Sequence, residues 1–274
     1  MALGRDAARG MRGSRGAAMI AYHNDSTLRT STLARMRAHA AADEIVQGQY
    51  WEHGKGCLVG CAIHVEPMDG DRHGAFPSTY GIPEVLARLA DRIFEGLPAS
   101  EAKALPVAFF DAIALGADLS LAWPRFAVAL LTDAEHGVAR LTSEGSQQRA
   151  AIEAVSALFA RQIAGETVTR EEWRAARMAS AYASAYAAAD AAAYDAAYYA
   201  AAAADDTYAA AYAAASDAAY AAYDAAAADA YAADAYAADD AYDAYDAAHA
   251  ARSAHYSWMA SALLSALRSC AVPS

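Results

Sequence analysis

The stretch YAAYDAAAADAYAADAYAADDAYDAYDAAHAAR, residues 220–252, decides the fold class of this chain. Alanine, the residue of highest helix propensity, fills more than half of it. Neither glycine nor proline occurs between Gly165 and Pro273, so no residue in that interval breaks a helix. At its upstream end Thr169 is followed three residues later by Glu172, the spacing with which a helix N-terminus satisfies its own free N–H groups. The sequence therefore predicts an α-helical rod over residues 167–274. As one helix of about 100 residues it would be about 150 Å long.

Period separates a patterned surface from filler. Tyr198, Tyr220, Tyr231 and Tyr242 recur at multiples of eleven, and Tyr212, Tyr223, Tyr245 and Tyr256 share the class three residues on. Tyr186, Tyr194 and Tyr208 bring eleven of the 14 tract tyrosines onto four of eleven positions. Leu263, Leu264 and Leu267 extend the stripe, while Asp195, Asp206, Asp217 and Asp239 line a different face. An eleven-residue repeat is close to a straight or slightly right-handed helix. One helix or a helical hairpin both fit, with Asp205-Asp206 and Asp239-Asp240 as break points. Two origins of the pattern stay open, duplication without selection and a surface built for contact. A tyrosine stripe flanked by alanine suits an interface, because Tyr buries a large apolar ring while its hydroxyl stays wet. Its partner is either the protein's own upstream domain or a second molecule, which predicts a homo-oligomer or a protein complex.

Charge follows the same division. Between Arg177 and Arg252 there is no Lys or Arg, and the segment holds 12 Asp. Removing them from the 33 acidic residues leaves 21, matching the 21 basic ones, so the net charge of −12 resides in this block. Such a rod repels a polyanion, which argues against direct nucleic-acid binding. Protonation of these aspartates predicts more helix or more self-association below about pH 4. No apolar run long enough for a membrane span occurs, and Cys57, Cys61 and Cys270 make no disulfide framework. Together these features predict a cytoplasmic protein with free thiols.

Upstream, residues 1–18 read as a disordered Arg/Gly/Ala leader, with Met19 as an alternative start. Residues 19–166 read as a helical globular domain. Ser26-Thr27 caps a helix running to about Ile45, and residues 50–66 read as a loop or short hairpin. Residues 69–78 have turn composition. Pro83 opens a helix with Val85, Leu86, Leu89, Ile93 and Phe94 at helical spacing, and Pro98 stops it. Further helices are expected over residues 99–115, 121–132 and 146–164. The fold class is thus mainly all-α.

AYHND at 21–25, GKGCLVGC at 54–61, GIPEVLARLADRIFEGLP at 81–98, GADLSLAWPRFAVALLTD at 116–133 and GETVTREEWRAAR at 165–177 resemble a group of bacterial and phage-borne proteins. Its members commonly continue into Ala-rich tracts. The resemblance covers residues 19–177 and implies a domain boundary there. The group has no established activity, so the resemblance implies no catalytic residue.

Chemistry concentrates in one place. His53, Cys57, Cys61 and His64, in the spacing H-x3-C-x3-C-x2-H, are side chains that zinc accepts. The competing reading is a pair of buried thiols in a glycine-rich loop. GKG at 54–56 lacks the Ser/Thr and surrounding glycines of a phosphate loop. No catalytic centre is evident, and an enzyme enters only through this Cys/His loop. The leading expectation is a structural or interaction protein acting through the rod. The second is a decoy, whose aspartates compete for the basic clefts of nucleic-acid-binding or defence proteins. Ice binding by an eleven-residue repeat would call for regular Thr, and the tract holds only Thr207.

Overall fold

The structure, a computed structural model, describes residues 19–63, 72–184 and 238–273. It is mainly α-helical, with one two-stranded antiparallel ribbon. Ten helices carry the described part: α1 (Ser26–Ala41), α2 (Leu58–Ala62), α3 (Phe76–Tyr80), α4 (Glu84–Gly96), α5 (Ala99–Ala102), α6 (Leu105–Ala112), α7 (Ala122–Thr132), α8 (Gln147–Ile163), α9 (Arg170–Ser184) and α10 (Ala238–Arg268). The ribbon joins β1 (Trp51–Glu52) to β2 (Lys55–Gly56).

α4 is the spine. Leu86, Leu89, Ala90, Ile93 and Phe94 are fully buried along one side, the face that their helical spacing predicts. Around it lie α2, α3, α6, α7 and α10. Phe76, Tyr80, Phe109 and Phe110 meet edge-on or stacked at ring separations of 5.2–6.3 Å, the geometry in which aromatic pairs add to plain area burial. A second layer, α7 on α8 and α8 on α9, closes over Trp123, Phe126, Phe159 and Trp173.

The AYHN segment has an unusual backbone. Tyr22, His23 and Asn24 have φ of 56°, 51° and 58°, a left-handed run that costs non-glycine residues about 1–2 kcal/mol each. The surroundings hold it. The buried Tyr22 hydroxyl donates to the Phe110 carbonyl at 2.6 Å, and the Asp25 N–H donates to the Tyr22 carbonyl at 2.8 Å. Asp25 then caps α1, accepting from the N–H groups of Thr27 and Leu28 at 2.8 and 3.2 Å. The cap is thus one residue earlier than Ser26-Thr27, and α1 ends at Ala41 rather than near Ile45. The helix expected over 99–115 is two helices, broken at Lys103-Ala104 before Pro106. The turn-like stretch before Ser78 contains part of α3, with Pro77 in its first turn.

The Thr169–Glu172 cap forms as its spacing predicts. The Thr169 N–H donates to Glu172 at 2.8 Å, and the Glu172 N–H donates to Thr169 Oγ1 at 3.2 Å. Arg161 on α8 donates to the other Glu172 oxygen at 2.6 Å, so the start of α9 is tied to α8. Phe159 and Trp173, 4.7 Å apart, pack the two helices together.

The core crosses the boundary expected near residue 166. Trp173 of α9 belongs to it, and so do Tyr256, Met259, Leu263, Leu267 and Cys270 from the C-terminal end. α10 lies on α4, α6 and α7. Beyond it, the Ala271 carbonyl accepts from the Asp118 N–H at 3.0 Å, beside a bridge between Asp118 and Ile20. Both ends of the described chain therefore meet on one loop. Of the rod expected over residues 167–274, residues 185–237 lie outside the described residues, and the last helix packs into the core of the head.

Candidate functional site

The GKGCLVGC motif folds for packing. His53 and Gly54 form the ribbon's tip with φ of 51° and 80°, the positive values that a two-residue hairpin of this twist needs. A Cβ at Gly60 would collide with the Tyr50 carbonyl, so glycine there lets β1 lie directly on α2. The Cys57 N–H donates to the Gln49 carbonyl at 2.7 Å, and Gly56 exchanges hydrogen bonds with Glu44 and Val46 at 2.9 Å. The Gln47 amide donates to the Phe94 and Leu97 carbonyls at 2.7 and 2.9 Å, satisfying the free end of α4. Through these bonds the ribbon and α2 are fastened over the last two turns of α4.

That placement brings Cys57 against two carboxylates of α4. The sulfur of Cys57 and an oxygen each of Asp91 and Glu95 lie within 4.8 Å of one another. Asp91 and Glu95 are four residues apart, hence neighbours on one helix face. Asp91 Oδ2 is 3.1 Å from His73 Nε2, and both residues are buried. The Tyr50 ring meets His73 edge-on, and its hydroxyl accepts from the Arg72 N–H at 3.1 Å. Glu95 accepts from the Gly48 N–H at 2.8 Å. Burial, and then the Asp91 charge, push the Cys57 thiol well above its ordinary pKa. Burial likewise raises the Glu95 carboxyl, with Asp91 adding to the rise. A thiol so placed is a poor nucleophile by itself.

The four sequence-selected ligands are distributed differently. His53 points into solvent at the ribbon tip, with a side chain 87 % exposed. Cys57 faces α4. Cys61, one turn along α2, donates instead to the Gly56 carbonyl at 3.3 Å, and burial pushes its thiol up to about 12. His64 lies outside the described residues. Among the described residues, Cys57, Asp91 and Glu95 are the group whose possible ligand atoms lie within 4.8 Å of one another, and His53 and Cys61 are not in it. Asp91 and Glu95 escaped the sequence reading because acids four apart on a helix usually mark a solvated face. The available signal was that Asp91 interrupts a buried arc, with Ala87, Ala90 and Phe94 around it.

Of the tyrosines, Tyr198, Tyr212, Tyr220 and Tyr223 lie outside the described residues, as does Tyr231. Tyr242 and Tyr245 fall within α10, but their side chains are not among those described. Tyr256 is fully buried. Its ring sits against Gly96, with the Arg92 and Arg252 guanidinium carbons each 5.8 Å from its centroid. Tyr256 thus serves the intramolecular core, the contact with the protein's own upstream domain. Beside it the His255 and Trp258 rings, and the Trp258 and His136 rings, meet tilted at 5.1 Å. Burial holds His255 down to about 4, with His136 and Arg140 adding to the effect.

Among the described residues, fold and site together form a helical head with a thiol–dicarboxylate cluster of two buried residues and one half-buried one. No family model, curated protein or solved structure matches the chain. No helix among the described residues is long and apolar enough to cross a membrane.

Proposed function

We propose that this is an interaction protein: a helical head that presents an acidic Ala/Tyr/Asp segment for self-association or for a protein partner. The observation that carries the reading is the anchoring of that segment. α9 packs on α8 and α10 packs on α4, α6 and α7, so residues 185–237 are inserted between two helices fixed to one body. This interval holds eight Asp and ten Tyr without a single Lys or Arg. A presented segment with its ends fixed loses less conformational freedom on binding than a free tail would. Three buried free cysteines suit a reducing compartment such as the cytoplasm. The resemblance of residues 19–177 to bacterial and phage-borne proteins with Ala-rich continuations accords with a head that carries variable segments.

The test is size-exclusion chromatography with in-line light scattering. The whole chain is compared with one in which residues 185–237 are replaced by a short Gly/Ser linker. The whole chain is expected to form a dimer or larger species, and the shortened one a monomer with the same melting temperature. A chain that stays monomeric at every concentration would remove self-association. The aspartate block favours one further reading, a decoy for basic clefts. There the whole chain, and not the shortened one, would displace duplex DNA from a basic DNA-binding protein in a salt-dependent way. Failure to displace at low salt would dispose of that reading.

A further inference from the structure

We infer that Cys57, Asp91 and Glu95 form a binding site for a divalent transition-metal ion of the zinc type. The three donors come from two elements, the N-terminus of α2 and the last two turns of α4, and their atoms already lie within 4.8 Å of one another. Zinc takes thiolate at about 2.3 Å and carboxylate at about 2.0–2.2 Å, so its ligand atoms sit about 3.5 Å apart. A bound ion would draw the three donors in to that separation.

A second observation points to a cation independently. Asp91 is 8 % exposed, its Oδ1 is buried without a well-formed hydrogen bond, and its carboxylate interacts with the Cys57 thiol. Its Oδ2 is occupied by His73 at 3.1 Å. Glu95 is arranged in parallel, with one oxygen held by the Gly48 N–H at 2.8 Å. Each carboxylate therefore has one oxygen held by an outer donor, the arrangement that orients metal ligands in known sites. Two carboxylates and a thiol converging at a largely buried place are otherwise mutually unfavourable. A divalent ion reverses the sign of that arrangement.

A single thiolate favours zinc, cobalt or iron over magnesium and calcium, which take oxygen alone. Three protein donors leave a fourth position for water. Binding converts the Cys57 S–H to a metal–sulfur bond and releases one proton to solvent. The ion would join the ribbon-bearing segment to α4, a link that now rests on hydrogen bonds from Gln47 and Gly48.

The experiment uses the whole chain, stripped with chelator and titrated with Zn²⁺ by calorimetry and with Co²⁺ by absorption. One equivalent is expected, with a thiolate-to-cobalt charge-transfer band and a melting temperature that rises with added Zn²⁺. The band should vanish in Cys57→Ser, weaken in Asp91→Asn and persist in His53→Ala. X-ray absorption at the zinc edge on the unaltered chain guards against variants that fail to fold, and should show one sulfur per zinc. Two sulfurs would overturn the assignment in favour of a Cys57/Cys61 pair. No tight equivalent, or a band that survives in a folded Cys57→Ser, would show that the thiol simply donates to Asp91 in a metal-free core.

Discussion

Gly96→Ala isolates the docking of α10 on α4 with a single methyl group. Gly96 ends α4 with a negative φ, so backbone propensity alone makes alanine better there, by at most about 1 kcal/mol. The contact opposes it. A Cβ at Gly96 would fall on the Tyr256 ring atoms Cε1, Cζ and Cε2, well inside van der Waals contact. That ring is fully buried, with two guanidinium groups near its face, and has little room to retreat. Overpacking of this kind costs about 1–3 kcal/mol, so the steric effect wins. The expected net loss is about 1–2 kcal/mol, or several degrees in Tm for a chain of this size. Urea denaturation followed by circular dichroism measures it. Tyr256→Ala should cost about 3–5 kcal/mol alone. In that background Gly96→Ala should become neutral or stabilising, because the methyl group enters vacated space. If Gly96→Ala stabilises the otherwise unaltered chain, or costs the same with and without the Tyr256 ring, the packing of α10 described above is refuted.

Acidification should loosen the same helix. His255 is buried and neutral with its pKa held down to about 4, so the unfolded chain binds its proton first as pH falls. Stability is full above about 6.5 and lost between there and about 4, by at most about 3 kcal/mol; His255→Leu should flatten the pH dependence of Tm across that window. The opposite response, more helix as the aspartates protonate, is expected only below about pH 4, so a circular-dichroism titration should show the two in sequence. Thr169→Ala removes one half of the α9 cap and should cost about 1 kcal/mol in urea denaturation. The Glu172 carboxyl, held down to about 2 by the Thr169 N–H and Arg161, should lose its contribution only as pH falls from about 4 toward 2. An NMR titration of its carboxyl resonance reads that directly.

Much of the head is legible in the sequence because its helices carry their own boundaries. Pro83, the Leu86–Leu89–Ile93 spacing and Pro98 define α4 to within a residue, and Thr169–Glu172 defines the start of α9. The start of α1 is ambiguous because Asp25, Ser26 and Thr27 are all good capping residues. The geometry that selects Asp25 is the left-handed Tyr22–Asn24 run, which depends on the distant Phe110 carbonyl. The cluster at Cys57 was half legible. Its thiol stands out in the glycine-rich motif, but nearby histidines look like its partners along the chain, whereas the fold supplies acids from α4. Tyr256 is legible as a stripe residue, with the upstream domain and a second molecule both open as its partner. Its period of eleven is shared with upstream tyrosines, and only Met259, Leu263 and Leu267 at three- and four-residue intervals mark where the stripe turns into core.

The position of α10 also sets an order of events during synthesis. A ribosome that has completed α9 must still add roughly 70 residues before Tyr256 emerges to cover Gly96. At 5–20 residues per second that is a delay of about 4–14 s. Throughout it, the buried surface of α4, α6 and α7 that α10 later covers stands exposed, and the most acidic part of the chain is the part being made. A nascent chain stalled within the tract would carry an open apolar groove beside a strongly anionic extension, a combination that invites chaperone capture yet resists aggregation by charge. Closure of the head is thereby tied to completion of the tract, so every folded copy has carried its acidic segment through translation intact.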